Sequence, residues 1–343
     1  MKFVASIATN PARIYRIRDS WKESGDPRNP LARIIVTPLF CRPGTLNAAR
    51  ELSEAGSQVY FDSGGYYVQQ NKIGYHELYW ELLQFYRANR WADWYVLPDY
   101  VPTSQDDEET VWRKVRETAS FSRLFFLDLP DDLKPRAIAV VQGHTLAQIE
   151  YCLETYVALG IRYIGFGSFG TIGKNNEVNS LTKNNRILDI VQYLSRLAQR
   201  HGQRVHFFGI GAPATLALFH QLQAESFDSS TWMKSAGFGQ VFFPLTRGFN
   251  VTYRKYVHGF QKSLSEDEFH WLKALTGHEC RFCRSLAQLR ESEHARRMHN
   301  LACVLDSVAL LESGDEERIA RIYQEGSPYY RNEYRKWQKL HVV

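Results

Sequence analysis

None of the 343 residues belongs to an apolar run of 18 or more, so nothing in the sequence reads as a membrane span. Cysteine is scarce. Five residues, two of them in one tight cluster, argue against a disulfide framework and for a reducing, cytoplasmic setting with a bound metal. There is no internal repeat and no low-complexity tract, which excludes a solenoid or a disordered array. Charge of one sign is not in great excess either: 42 Lys and Arg against 37 Asp and Glu leave a net +5. That lean fits a phosphate-bearing partner without demanding one. The opening segment Met1–Ala8 is too short an apolar run for an export signal, and basic residues from Arg13 to Arg18 follow it. It is expected to be a first strand.

What is present is an alternation. Hydrophobic residues make up 44% of the chain, enough for a large core, and they fall in short runs ending in a carboxylate, an amide or a glycine turn. The runs end at Asp62, Asp99, Gln142-Gly143, Gly165-Phe166-Gly167, Phe208-Gly209 and Asp228. Helical periodicity follows each, over 46–55, 76–89, 108–123, 146–159, 186–201 and 214–223, with Thr145 as an N-cap and Gly160 as a helix stop. Alternating strand–helix units with polar residues at several strand ends predict a (β/α)8 TIM barrel with its active site at the carboxyl ends of the strands. The barrel is expected over 1–262. A composition shift to Glu, His, Cys and Arg marks an appended zinc-binding and helical module over 263–343. The polar loop Gly173–Asn176 is placed to cover the site. Each acid also has a plainer reading: Asp62 as a turn residue before Ser63-Gly64-Gly65, Asp228 as a helix N-cap before Ser229-Ser230, Asp99 as a loop cap.

The segment His278-Glu279-Cys280-Arg281-Phe282-Cys283, followed by His299, offers two thiolates and two imidazoles. Such a set suits tetrahedral zinc, and four protein ligands leave no open position, so the metal would be structural. His294 and Cys303 are reserve ligands.

The ordered series Asp62-Ser63-Gly64-Gly65, Asp99, Val141-Gln142-Gly143, Gly165–Gly167, Gly209-Ile210-Gly211 and Phe227-Asp228, closing with the cysteine cluster and His299-Asn300, resembles the tRNA-guanine transglycosylase superfamily. The likeness covers residues 55–300. Members are zinc-stapled barrels that exchange guanine in a nucleic acid for a 7-deazaguanine base. The resemblance implies Asp228 as the nucleophile at C1′, forming a covalent intermediate, and Asp62 as general acid and then base. It implies Asp99 on the N1–H and 2-amino edge, Gln142 on the O6 side, Tyr66 and Phe208 stacking on the base, and Gly165 and Gly167 in the turn that approaches it.

The chain also departs from the tRNA-acting members. Their arginine- and asparagine-rich stretch after the nucleophile is replaced by Ser229–Gly239, their first zinc cysteine by His278, and a carboxylate after the glycine turn by Phe169-Gly170-Thr171. These changes resemble the DNA-acting, DpdA-type branch, which implies DNA as partner, 7-cyano-7-deazaguanine as the incoming base and room for an accessory ATPase or helicase-like protein. Arg247, Arg254 and Lys255, interleaved with aromatics, are the candidate DNA contacts, with a second basic-aromatic set over Tyr329–Trp337. Three alternatives stay open: a tRNA-acting enzyme with the same chemistry, a barrel hydrolase using Asp62 and Asp228 as acid and nucleophile, and a non-catalytic nucleic-acid-binding subunit.

Overall fold

A computed structural model describes residues 1–7, 9–103, 105–167, 185–252 and 263–340. Eight parallel strands close into a barrel: β1 (Lys2–Ser6), β2 (Arg33–Val36), β3 (Gln58–Phe61), β4 (Trp94–Val96), β5 (Ala137–Val141), β6 (Tyr163–Phe166), β7 (Arg204–Phe207) and β8 (Ser226–Ser229). Pairing of β1 with β8, with Val4 opposite Asp228, shuts the seam and leaves no free sheet edge. The outer helices are α1 (Pro11–Ser24), α2 (Pro43–Glu54), α3 (Gly65–Gln69), α4 (Tyr75–Ala88), α5 (Glu108–Asp128), α6 (Leu146–Ala158), α7 (Asn185–Arg200), α8 (Leu216–Gln221) and α9 (Thr231–Gly237). The expected barrel is therefore present. Thr145 caps α6 by accepting from the Gln148 amide, and Gly160 sits just beyond its end at φ +72°.

Strand alternation decides what each face does. Val59 and Phe61 of β3 turn outward to the helices, while Tyr60 turns inward. Ile138 and Val140 point in from β5, and Ala137, Ala139 and Val141 point out. The barrel interior is filled by Val4, Ile35, Tyr60, Val96, Ile138, Val140 and Tyr163, so it is a packed core and not a channel.

The sequence pattern marks neither β2 nor α1, whose segment shows as basic, nor the short helix α3. Ile14, Ile17 and Trp21 of α1 are buried on one helical face, while Arg13, Arg16 and Arg18 occupy the other.

After β8 the chain forms a two-stranded antiparallel ribbon, β9 (Gln240–Val241) with β10 (Phe249–Asn250). Next come α10 (Glu266–Thr276), α11 (Leu286–Glu291), α12 (Glu293–Ser313), α13 (Glu316–Arg321) and α14 (Arg331–Trp337). A small core joins Val241, Phe243 and Val251 to Leu264, Phe269, Leu286 and Ala295, so the C-terminal module draws on residues before 263 as well as after it. Helix α12 belongs to both cores. Its Met298, Leu301 and Val304 lie in the main barrel cluster, and Glu312 near its end accepts from the Met1 amino group at 3.0 Å. It therefore runs antiparallel to β1 in the outer layer. Among the described residues no helix is long and apolar enough to cross a membrane.

Candidate active site and candidate metal centre

The carboxyl ends of the strands open on a cavity of about 1200 Å³. Asp62 follows β3, Asp99 follows β4, Gln142 follows β5, Gly167 follows β6, Phe208 follows β7 and Asp228 sits within β8; all six line this cavity, as does Tyr66. Gly165 lies one turn of the pleat below, and a Cβ there would run into the Phe208 ring, so glycine is what lets that ring lie across β6. Gly65 plays the same part for Asp99, whose carboxylate occupies the space a side chain would need.

The N-cap of α9 is Ser230, which makes no side-chain capping bond, and in the turn before it Ser229 Oγ accepts from the Thr231 amide at 2.9 Å. In the turn after β3, Ser63 Oγ accepts from the Gly65 amide and the Asp62 carboxyl accepts from the Ser63 backbone amide. The acids face the cavity. Asp99 accepts from Ser63 Oγ at 2.6 Å and from Gln142 Nε2 at 2.7 Å, so both its oxygens are held. Gln142, expected against a substrate oxygen, thus also braces Asp99.

Asp228 carries the most specific arrangement. Its Oδ1 accepts from the Gly209 amide at 2.9 Å and from His206 Nε2 at 3.3 Å. Gly209 adopts φ +70°, a left-handed conformation that glycine takes without strain. His206 Nδ1 lies 2.6 Å from Ser226 Oγ, which lies 2.5 Å from the Tyr163 hydroxyl. A neutral imidazole that donates to the carboxylate through Nε2 accepts at Nδ1 from Ser226, which then accepts from Tyr163. The chain of donors runs Tyr163 to Ser226 to His206 to Asp228. His206 is fully buried and was missed in the sequence; its signal was strand parity, which puts His206, Ser226 and Asp228 on inward faces of adjacent strands.

Burial pushes the Asp62 carboxyl up to about 7; a hydrogen bond from Thr37 Oγ1 at 2.9 Å opposes this, and the charges of Asp99 and Asp228 reinforce it. Burial also raises Asp99, against the hydrogen bonds from Ser63 and Gln142. The cavity therefore holds a carboxyl, Asp62, raised to near neutrality, together with the hydrogen-bonded Asp99 and Asp228. Its mouth is basic: Arg13, Arg42 and Lys234 line it, together with the aromatics Phe40, Tyr66, Tyr67 and Phe238.

Of the expected DNA contacts, Arg247 stacks over Phe249 at 4.7 Å and does not line the cavity. Arg254, Lys255 and the loop Gly173–Asn176 lie outside the described residues. In the C-terminal set, Tyr334 and Trp337 are buried, with Tyr334 stacked on Tyr323 at 4.3 Å, so that face of α14 is core.

His278, Cys280, Cys283 and His299 converge, each offering a ligand atom within 4.8 Å of the others. This group can hold a metal ion. The far nitrogens of both imidazoles are anchored: His278 Nδ1 lies 2.5 Å from Asp306, and His299 Nε2 donates to the Phe242 carbonyl at 2.7 Å. The near nitrogens are thereby turned to the thiols, the outer-shell bracing that ligating histidines show. Asp306 also accepts from Arg28, tying the centre to the loop after α1. Cys303 Sγ lies 3.6 Å from His278 Nε2 and from His299 Nε2 and against the Phe242 carbonyl, and His294 bonds Ser20 elsewhere; neither reserve is among the four that converge.

In comparisons with known proteins, no family model matches this chain, and no curated protein matches it either.

Proposed function

We propose that the chain is a guanine transglycosylase that exchanges guanine in DNA for a 7-deazaguanine base. The observation that carries the reading is the unequal pair of carboxyls in one cavity. Asp228 is held by the Gly209 amide and His206, and Asp62 is raised to about 7, beside an acceptor, Asp99, suited to a guanine edge. In this mechanism Asp228 attacks C1′ as the bond from C1′ to guanine N9 breaks, and the Asp62 proton goes to the departing guanine. The incoming base then gives its N9 proton to Asp62, N9 attacks C1′, and the Asp228 ester bond breaks. A group titrating near 7 serves both half-reactions. His206 keeps the nucleophile oriented. Aromatics at the mouth suit a nucleotide taken out of its stack.

Zinc is the proposed metal. Bonds of about 2.0–2.1 Å to nitrogen and 2.3 Å to sulfur set tetrahedral edges of about 3.3–3.8 Å. The separations come near those edges: 3.2 Å between His278 Nε2 and His299 Nδ1 and 3.7 Å from Cys280 to His299, with the thiols, 3.3 Å apart, closer than a zinc-bound pair at about 3.8 Å. Bound there, it would staple the C-terminal module and take no part in chemistry. The choice of DNA over tRNA, and of a 7-cyano base, rests on the sequence departures alone.

The test is exchange of labelled guanine into duplex DNA, single-stranded DNA and tRNA in parallel, with Asp228→Asn as control. Label in DNA, and a covalent adduct that Asp228→Asn abolishes, is the expected result. Label in tRNA alone would keep the chemistry and replace the partner. Release of free base without incorporation would establish a hydrolase instead.

A further inference from the structure

Beside the cavity lies a second hollow of about 180 Å³, lined by Arg13, Arg16, Ile17, Glu293, His294 and Arg297. Arg13 lines both spaces, so they share a wall. The hollow sits between the first turns of α1 and α12. Helix α1 starts at the carboxyl end of β1, and α12 runs antiparallel to that strand, so both helices present their N-terminal ends at the rim of the active site. Three guanidiniums face one carboxylate, Glu293, which pairs with Arg297. Arg13 and Arg16 are exposed and make no side-chain hydrogen bond or ion pair among the described residues. The Arg297 Nε is buried with no partner. Burial lowers the Arg297 pKa; Glu293 opposes this and Arg13 and Arg16 add to it. Uncompensated positive charge with a free guanidinium donor, next to a cavity floored by carboxylates, is a setting for an anion that belongs to a larger ligand.

We propose that Arg13, Arg16 and Arg297 form a phosphodiester subsite that grips the DNA backbone beside the nucleotide whose base enters the cavity. This rests on the reading of the cavity as a nucleic-acid base site. The phosphate charge replaces what Glu293 alone does not neutralise, and planar guanidiniums suit a phosphate's paired oxygens. Arg42, after the neighbouring strand β2, and Lys234, after the neighbouring strand β8, flank Arg13 along the cavity and would continue the track along the strand.

The experiment is fluorescence anisotropy of a labelled duplex containing guanine, from 50 to 200 mM salt, with wild type, Arg13→Gln/Arg16→Gln and Arg123→Gln, an exposed charge on α5 away from the hollow. Two lost phosphate contacts should make the slope of log K against log salt shallower by about 1.8. Extrapolated from 1 M salt, the same slope sets upper limits on the loss of affinity of about 200-fold at 50 mM and about 20-fold at 200 mM. Unchanged slope and affinity, or an equal change in Arg123→Gln, would overturn the subsite. So would wild type that binds no DNA, or inorganic phosphate that binds wild type and not the double variant while DNA binding is unaltered. The adduct assay separates the two readings. An adduct with an unchanged slope sinks the subsite alone. A shallower slope with no adduct or exchange in wild type keeps the subsite and sinks base exchange.

Discussion

Replacing Thr37 by valine probes the proton chemistry directly, because it removes one hydroxyl and little volume. Thr37 Oγ1 donates to Asp62 Oδ2 at 2.9 Å, and that bond holds the Asp62 carboxyl below where burial alone would put it. A hydrogen bond to a charged group is worth about 1.5–3 kcal/mol. At 1.36 kcal/mol per pH unit, its loss should move the Asp62 titration up by about one to two pH units. The first half-reaction needs Asp62 protonated, so adduct formation in wild type should decline above pH 7, by tenfold per unit at the limit. In Thr37→Val the decline should begin correspondingly higher. The assay is single-turnover trapping of protein–DNA adduct on denaturing gels between pH 5 and 10, without incoming base. A wild-type profile flat across pH 6–9, or a valine profile that fails to move or moves to lower pH, would refute the assignment of Asp62 as the acid.

The raised Asp62 also makes a stability prediction. Between the unfolded carboxyl value of 3.8 and about 7 the folded protein holds a proton that the unfolded chain has lost, so stability falls as pH rises across that window. Asp62→Asn should remove this fall and raise stability at pH 8 by a few kcal/mol, with little change at pH 4; urea melts at the two pH values measure it. If the proposed zinc is bound, stripping it with a chelator, or Cys283→Ser, should lower the melting temperature and open the region from 264 to 311 to protease before adduct formation is lost. Activity lost at once with melting unchanged would make the metal catalytic. Gly165→Ala should displace the Phe208 ring, at a cost of about 1–3 kcal/mol, and weaken base binding more than it slows bound turnover. A KM and kcat split reads that out.

The strands from β3 to β8 were legible because each couples an apolar run to a polar or glycine turn at its carboxyl end. β2 lacks that punctuation: Arg33-Ile34-Ile35-Val36 runs into Thr37-Pro38, and no acid or glycine marks its end. Helix α1 was hidden by its own surface, since Arg13, Arg16 and Arg18 dominate the segment while the apolar stripe shows only at the spacing of Ile14, Ile17 and Trp21. The cavity acids were visible one by one. What sequence did not show was who holds them: Ser63 and Gln142 reach Asp99 from 36 and 43 positions away, and His206 reaches Asp228 across a strand pair. Those partnerships depend on barrel register, which is a property of the closed sheet and not of any segment. The four metal ligands were legible because three lie within six residues; their bracing by Asp306 and the Phe242 carbonyl was not.

The outer-layer position beside β1 is filled by α12, which ends at Ser313, roughly 80 residues after β8 is complete. On a ribosome adding about 5–20 residues per second, the last strand emerges about 4 to 16 seconds before the helix that covers the seam. During that interval the outward faces of β1 and β8, Phe3 and Phe227 among them, have no lid. The nascent chain is thus sticky at the strand that carries Asp228, and its rescue comes from the helix that carries His299.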